Sequence, residues 1–118
     1  GKGQSIDIPP KPSGFGSSVN GGELLFLALA TCYCNDLYRE AAKRHIIVRN
    51  VQVECRGSFG DAPGSVAENI TYKAIVEAEA SEEDILELMR HTDTVAEIQN
   101  TLRRGMKVTL VATEAIPV

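Results

Sequence analysis

"NGGELLFLALATCYCNDLYREAAKR", Asn20 to Arg44, starts apolar and ends charged. It is uninterrupted by proline, and its only glycines stand at its start, so it reads as one long helix from about Gly22 to Lys43. From Leu24 to Thr31 it is apolar nearly all round, the pattern of a helix buried on every side. In a chain of 118 residues a second subunit is the expected cover.

Two cysteines, Cys32 and Cys34, lie near the middle of this helix. Successive helical residues are about 100° apart, so positions two apart point roughly 200° apart. They can therefore neither bridge each other nor share a metal while the helix is intact. Cys34 lies with Ala30, Thr31, Leu37, Tyr38 and Ala41 and reads as a packed small hydrophobe. Cys32 lies with Leu25, Ala28, Leu29, Asn35, Asp36 and Arg39, where the face turns from apolar to polar. Its bland role is an inert core cysteine. Its functional role is a thiol at a pocket floor, with the Arg39 cation nearby favouring thiolate.

Around this helix the chain alternates differently. "SIDIPP" (Ser5–Pro10) reads as the end of a strand, and "KPSGFGSSVNGG" (Lys11–Gly22) as a long loop. "IIVRNVQVECRGSF" (Ile46–Phe59) has period two, with Val51, Val53 and Cys55 facing one way. After the turn "GDAPGS", Ala67–Ala80 alternates again, with Ile70, Tyr72, Ala74 and Val76 on its inner face. The two make an antiparallel hairpin. Ser81 and Asp84 form a capping box for a helix with Ile85, Leu88 and Met89 as its stripe. Thr94 and Glu97 repeat the device for a second helix, with Val95, Ile98 and Leu102 as its stripe and Gly105 as its C-cap. His91 falls in the break between the two. Met106–Ile116 reads as a final strand. The fold class is α+β: a single domain over 1–118, with an antiparallel sheet packed on a long central helix.

Composition narrows the function classes. A net charge of −4 without a basic tract argues against nucleic acid as a partner. The apolar run Leu24–Ala30 is too short to span a membrane. Lys2–Gly16, polar and rich in Pro and Gly, does not read as a signal peptide. With three cysteines in no framework spacing, a cytoplasmic location is expected. His45 and His91 lack ligand-type spacing, so no metal is expected. "GFGSSVNGG" lacks the lysine of a phosphate loop, and no cofactor is expected.

"SVNGGELLFLALATCYCNDLYREAAKR" resembles the OsmC/Ohr family, the osmotically inducible and organic hydroperoxide resistance proteins. Asn20 and Cys32 have the spacing of the family's helix-start asparagine and its cysteine. "HIIVRNVQVECRGSF" is similar to the family's next strand, and "AEIQNTLRRGMKVTLV" to its last helix, glycine and strand. The resemblance implies an intertwined α+β homodimer with active sites at the interface. It also implies N-terminal strands that are missing or abbreviated here. It places Cys32 at the peroxidatic position, where a hydroperoxide would oxidise it to a sulfenic acid.

The rest of the family's set departs. Its activating glutamate falls on Gly22. Glu23, nine residues before Cys32, lies about 180° round the helix from it. Its resolving cysteine falls on Ala96, and its activating arginine comes from the N-terminal strands. The expectation is thus an OsmC-like protein without a resolving cysteine. Through Cys32, with Arg39 as the arginine at hand, it would carry one-cysteine reduction of organic hydroperoxides in an oxidative stress response, with an external thiol as reductant. The alternatives are a non-catalytic dimeric binding module for an apolar ligand and a redox sensor.

Overall fold

A computed structural model describes residues 5–13 and 16–118. Residues 1–4, 14 and 15, which include part of the expected loop, lie outside the described residues. The element order is α1 (Gly21–Lys43), β1 (Ile47–Phe59), β2 (Ala67–Glu79), α2 (Glu82–Val95) and α3 (Glu97–Arg104).

Helix α1 begins where its local chemistry dictates. The Asn20 side chain accepts from the Glu23 backbone N–H at 2.8 Å, and the Glu23 carboxylate accepts from the Asn20 N–H. Both satisfy amide groups that the first turn leaves without partners. At its end His45 takes a left-handed φ of 57° and closes back onto Ala42 O. Along one face Leu29, Tyr33, Leu37 and Ala41 are buried, each four residues from the next. Opposite them Leu27 stays 60% exposed.

β1 and β2 pair antiparallel, with Val53 opposite Ala74 and Cys55 opposite Tyr72. Val51, Val53 and Cys55 are half-buried, and Gln52, Glu54 and Arg56 are exposed, as the alternation predicts. Ile70, expected inside, is 37% exposed because the buried face of β2 begins only at Tyr72. The core is small: Tyr33, Leu37 and Ala41 of α1 meet Leu88 of α2, with Val51, Val53, Tyr72 and Val76 of the sheet packed against them. At the far end of the hairpin Phe26 stacks on Phe59 at 5.9 Å. The backbone approach there is close: a Cβ on Gly57 would lie 2.6 Å from the Phe26 ring.

Three expected features differ. Ser5–Ile8 is not a strand; the segment instead turns back through a Pro10–Ser17 bridge. Met106–Ile116 is not a strand either, and every residue of it is exposed, with Val108 at 95% and Val111 at 89%. A strand needs a ladder partner, and among the described residues only β1 and β2 supply one to each other. The Thr94 cap is also absent. Helix α2 continues to Val95, where the chain leaves helical geometry at Ala96 (ψ 107°), and Thr94 Oγ1 donates to His91 O instead. Buried Thr92 and Ala96 hold this register, so Ala96, just before α3, and Gln99 within it point inward, while Ile98 and Leu102 sit at the edge. Ser81 caps α2 as predicted, accepting from the Asp84 N–H. Gly105, at φ 66°, ends α3 as predicted.

The radius of gyration is 18.3 Å. A compact chain of this length has about 13–14 Å. The excess is consistent with extended arms outside the small core. Among the described residues no helix is long and apolar enough to cross a membrane.

Candidate functional site

Cys32 and Cys34 address different surfaces, as helical geometry requires. Both are half-buried and neither is in a disulfide. Cys34 opens onto a shallow recess with Ala30, Thr31, Asn35 and Val53. Cys55 is also half-buried, and burial pushes its thiol pKa up, which keeps it in the unreactive form.

The Cys32 Sγ donates to Asp36 Oδ2 at 3.6 Å. Asp36, one turn further along, is buried, and its other oxygen meets Arg39 Nη1 at 3.0 Å. Arg39 Nε then reaches Glu40 Oε2 at 3.1 Å. Glu40 is buried as well, and it also takes Lys43 Nζ at 3.0 Å and His91 Nε2 at 2.9 Å. The result is a line of polar groups down one edge of α1, each a helical turn or less from the next. Arg39 is therefore linked to Cys32 only through Asp36, and two carboxylates hold it. His91 lies inside α2, not in a break, and ties α2 to α1.

Glu40, His91 and the direct role of Asp36 go beyond what the sequence named. The i,i+3 and i,i+4 spacing of Asp36, Arg39, Glu40 and Lys43 carries a signal for the helical part. Nothing local could find His91, which is 51 residues away. Lys43, Arg39 and His91 together hold the Glu40 carboxyl down to a pKa of about 2. Its folded value lies below the ordinary one, so its stabilising contribution is present above about pH 4.5 and is lost as pH falls toward 2. Glu40→Gln is expected to flatten that part of the acid-unfolding profile. A urea midpoint followed from pH 5 to pH 2 in both proteins checks it; parallel curves would contradict it.

A second polar cluster lies beyond the helix. The Tyr72 hydroxyl donates to Asp93, whose same oxygen takes Arg103 Nη2 at 2.7 Å. Burial opposes the Asp93 charge, but Tyr72 and Arg103 outweigh it and keep the carboxyl below its usual range. Tyr33 donates to Met89 O at 2.9 Å, and burial pushes its hydroxyl up to about 12. The Tyr72–Asp93–Arg103 cluster fastens α2 and α3 to the sheet, and Tyr33 ties α1 to α2. Gln99, 3% exposed, joins α3 to α1 by donating Nε2 to Leu29 O at 3.0 Å. Its Oε1 is buried with no hydrogen-bond partner among the described residues. An acceptor left in that state costs about 1–3 kcal/mol.

The positions where the resemblance expects a glutamate and a second cysteine are filled by packing. A Cβ on Gly22 would come 2.6 Å from the Phe59 ring, so the aromatic ring occupies the space of a side chain there. Ala96 is fully buried at the α2–α3 junction. Glu23 is exposed and engaged in the helix cap.

A family model described as "OsmC-like protein" matches residues 14–111. The chain belongs to the OsmC-like family. Solved structures agree on the α+β OsmC-like fold. An OsmC-like protein from Mycoplasma pneumoniae superposes with a TM-score of 0.64 at 21% identity, over 77% of this chain and 64% of that one. An OsmC-like hydroperoxide resistance protein from a Jannaschia species gives 0.65 at 15% identity, over 81% and 70%. A hypothetical protein from Aquifex aeolicus gives 0.64 at 14%, over 86% and 89%. The chain thus spans less than two thirds of the Mycoplasma protein. No curated protein sequence matches at a significant level. In this OsmC-like chain Cys32, Asp36 and Arg39 form one bonded group on α1.

Proposed function

We propose that this OsmC-like protein reduces organic hydroperoxides with Cys32 alone, using an external small thiol as reductant. The observation that carries it is the free, half-buried Cys32 thiol at the position of the family's cysteine. The Cys32 thiolate attacks one hydroperoxide oxygen. The S–O bond forms, the O–O bond breaks, and the departing alkoxide takes up a proton to leave as the alcohol. The sulfur, oxidised by two electrons, is now a sulfenic acid. A small thiol condenses with it, releasing water, and a second thiol exchanges to free Cys32 and a small-molecule disulfide. Such a reductant pool fits a cytoplasmic location.

With Ala96 buried and Phe59 over Gly22, the chain has neither a resolving cysteine nor a glutamate at those positions. Turnover is therefore slow and depends on added thiol. The test is consumption of cumene hydroperoxide with and without a small thiol, for the wild type and Cys32→Ser. Thiol-dependent consumption that the variant loses is the expected result, with a sulfenic-acid reagent trapping Cys32 in the absence of thiol. If Cys32 stays reduced under excess hydroperoxide, the function is that of a non-catalytic binding module. The filled Gly22 and Ala96 positions favour that alternative.

The active assembly is a homodimer. Supporting this are Leu24 and Leu27, 41% and 60% exposed on α1, and the apolar, unpaired segment after Gly105. Covering a leucine fully is worth about 1.5–3 kcal/mol, so several left in water are a strong drive to association. Sedimentation at micromolar concentration is expected to give twice the chain mass. A well-folded monomer there would refute it.

A further inference from the structure

We propose that the recess between α2 and the inner face of β2 binds a small aromatic carboxylate, an anion of the benzoate class. The recess has a volume of about 420 Å³. Tyr33, Tyr72, Ala74, Leu86 and Met89 make its apolar lining. Tyr33 is buried, while Leu86 stands at the rim, 38% exposed. The two tyrosine rings have centroids 5.2 Å apart and are tilted by 59°. Aromatic rings attract one another edge to face through their quadrupoles, and a thioether sulfur favours a ring edge. Such a lining therefore selects a flat aromatic body over an aliphatic one of the same size.

The charged groups of the lining, Arg90 and Asp93, select the head. Both tyrosine hydroxyls are already spent as donors, Tyr33 on Met89 O and Tyr72 on Asp93. Asp93 is balanced by Arg103 at 2.7 Å. Arg90 is different. The ion pairs of the described residues engage Arg39, Arg44, Arg49, Arg56 and Arg103 but not Arg90. Residues 1–4, 14 and 15 contain no Asp or Glu that could supply its carboxylate. Arg90 is also exposed, so a ligand entering from solvent can reach it. The charge of the recess left without a counter-charge is therefore positive, and a guanidinium matches a carboxylate with two parallel N–H donors. Asp93, three residues along α2, repels further negative charge and limits the head to a single carboxylate. The recess shares no residue with the Cys32–Asp36–Arg39 group, so this binding does not depend on Cys32 chemistry.

The test compares benzoate with its neutral analogue benzamide and with the non-aromatic anion cyclohexanecarboxylate. Binding is followed by protein NMR at the backbone amides of Ala74, Leu86 and Arg90. Benzoate is expected to bind roughly fivefold more tightly than benzamide, the upper end for one exposed pair of opposite charges. It should also bind more tightly than cyclohexanecarboxylate. Arg90→Gln should bring benzoate down to the affinity of benzamide. Arg104→Gln removes an exposed cation outside the recess and should leave benzoate binding unchanged. Leu86→Trp fills the recess from its rim and should abolish binding of all three. Equal wild-type affinity for benzoate and benzamide would overturn the proposal. So would cyclohexanecarboxylate binding as tightly as benzoate, equal losses in Arg90→Gln and Arg104→Gln, binding indifferent to Leu86→Trp, or no binding at all. Loss of hydroperoxide consumption in Cys32→Ser leaves it untouched.

Discussion

Leu37→Ala is expected to lower the stability of the fold by about 2–5 kcal/mol, the usual range for emptying a fully buried leucine site. Leu37 is 0% exposed and sits where Tyr33, Ala41 and Leu88 converge. Its neighbours come from two helices and the sheet, so collapse around the gap is limited and the upper part of the range applies. A domain of this size has only about 5–15 kcal/mol in total, so much of it goes. Leu27→Ala, ten residues earlier on the same helix, is the internal contrast. At 60% exposure Leu27 has little to lose inside one subunit. Its substitution should instead weaken the proposed dimer and show as a concentration-dependent melting temperature. Urea unfolding of both variants at two protein concentrations checks this. A Leu37→Ala protein within 1 kcal/mol of wild type, about the cost of an ordinary surface change, would mean the core is misassigned.

Asp36→Asn is expected to raise the rate of Cys32 alkylation by iodoacetamide at neutral pH roughly tenfold. The thiol donates to a buried carboxylate at 3.6 Å, and a thiolate formed there would face a negative charge. Two unit charges about 4 Å apart at an effective dielectric near 20 repel by about 4 kcal/mol. Arg39, on the far oxygen of Asp36, offsets much of this. A remainder of about 1.4 kcal/mol in the barrier to attack by the sulfur corresponds to a tenfold change in rate. Asparagine keeps the size and the hydrogen-bond acceptor, removes the charge, and leaves Arg39 as the nearest ion. Oxidation by cumene hydroperoxide should accelerate in parallel if it proceeds through the thiolate. A slower reaction in Asp36→Asn would assign Asp36 the opposite role, that of a base drawing the proton from Cys32. Asp36→Glu, which retains the charge, separates electrostatics from packing.

Much of the architecture is legible in the sequence, and for one reason: its determinants are local. The α1 boundaries follow from a glycine-containing polar start and a charged end, with no proline between them. The hairpin follows from period-two alternation around a Gly/Pro turn, and α2 from Ser81. The opposed directions of Cys32 and Cys34 follow from helical pitch alone. The resemblance located Cys32, and the same residues led to the family.

Tertiary structure decided what depends on distant partners. Thr94 has the residue type of a cap, but burial of Thr92 and Ala96 carried α2 past it and moved the helix break two residues on. Ser5–Ile8 and Met106–Ile116 alternate like strands, yet a strand forms only where another edge accepts its hydrogen bonds. His91 reaches Glu40 across 51 residues, and Gln99 reaches Leu29 across 70. The Phe59 ring lies against Gly22, an aromatic contact between α1 and β1 at the position where the resemblance expects a glutamate. Periodicity states which face of an element is apolar. Which residue of another element meets that face, and which polar atom is left without a partner there, is set only when the elements pack.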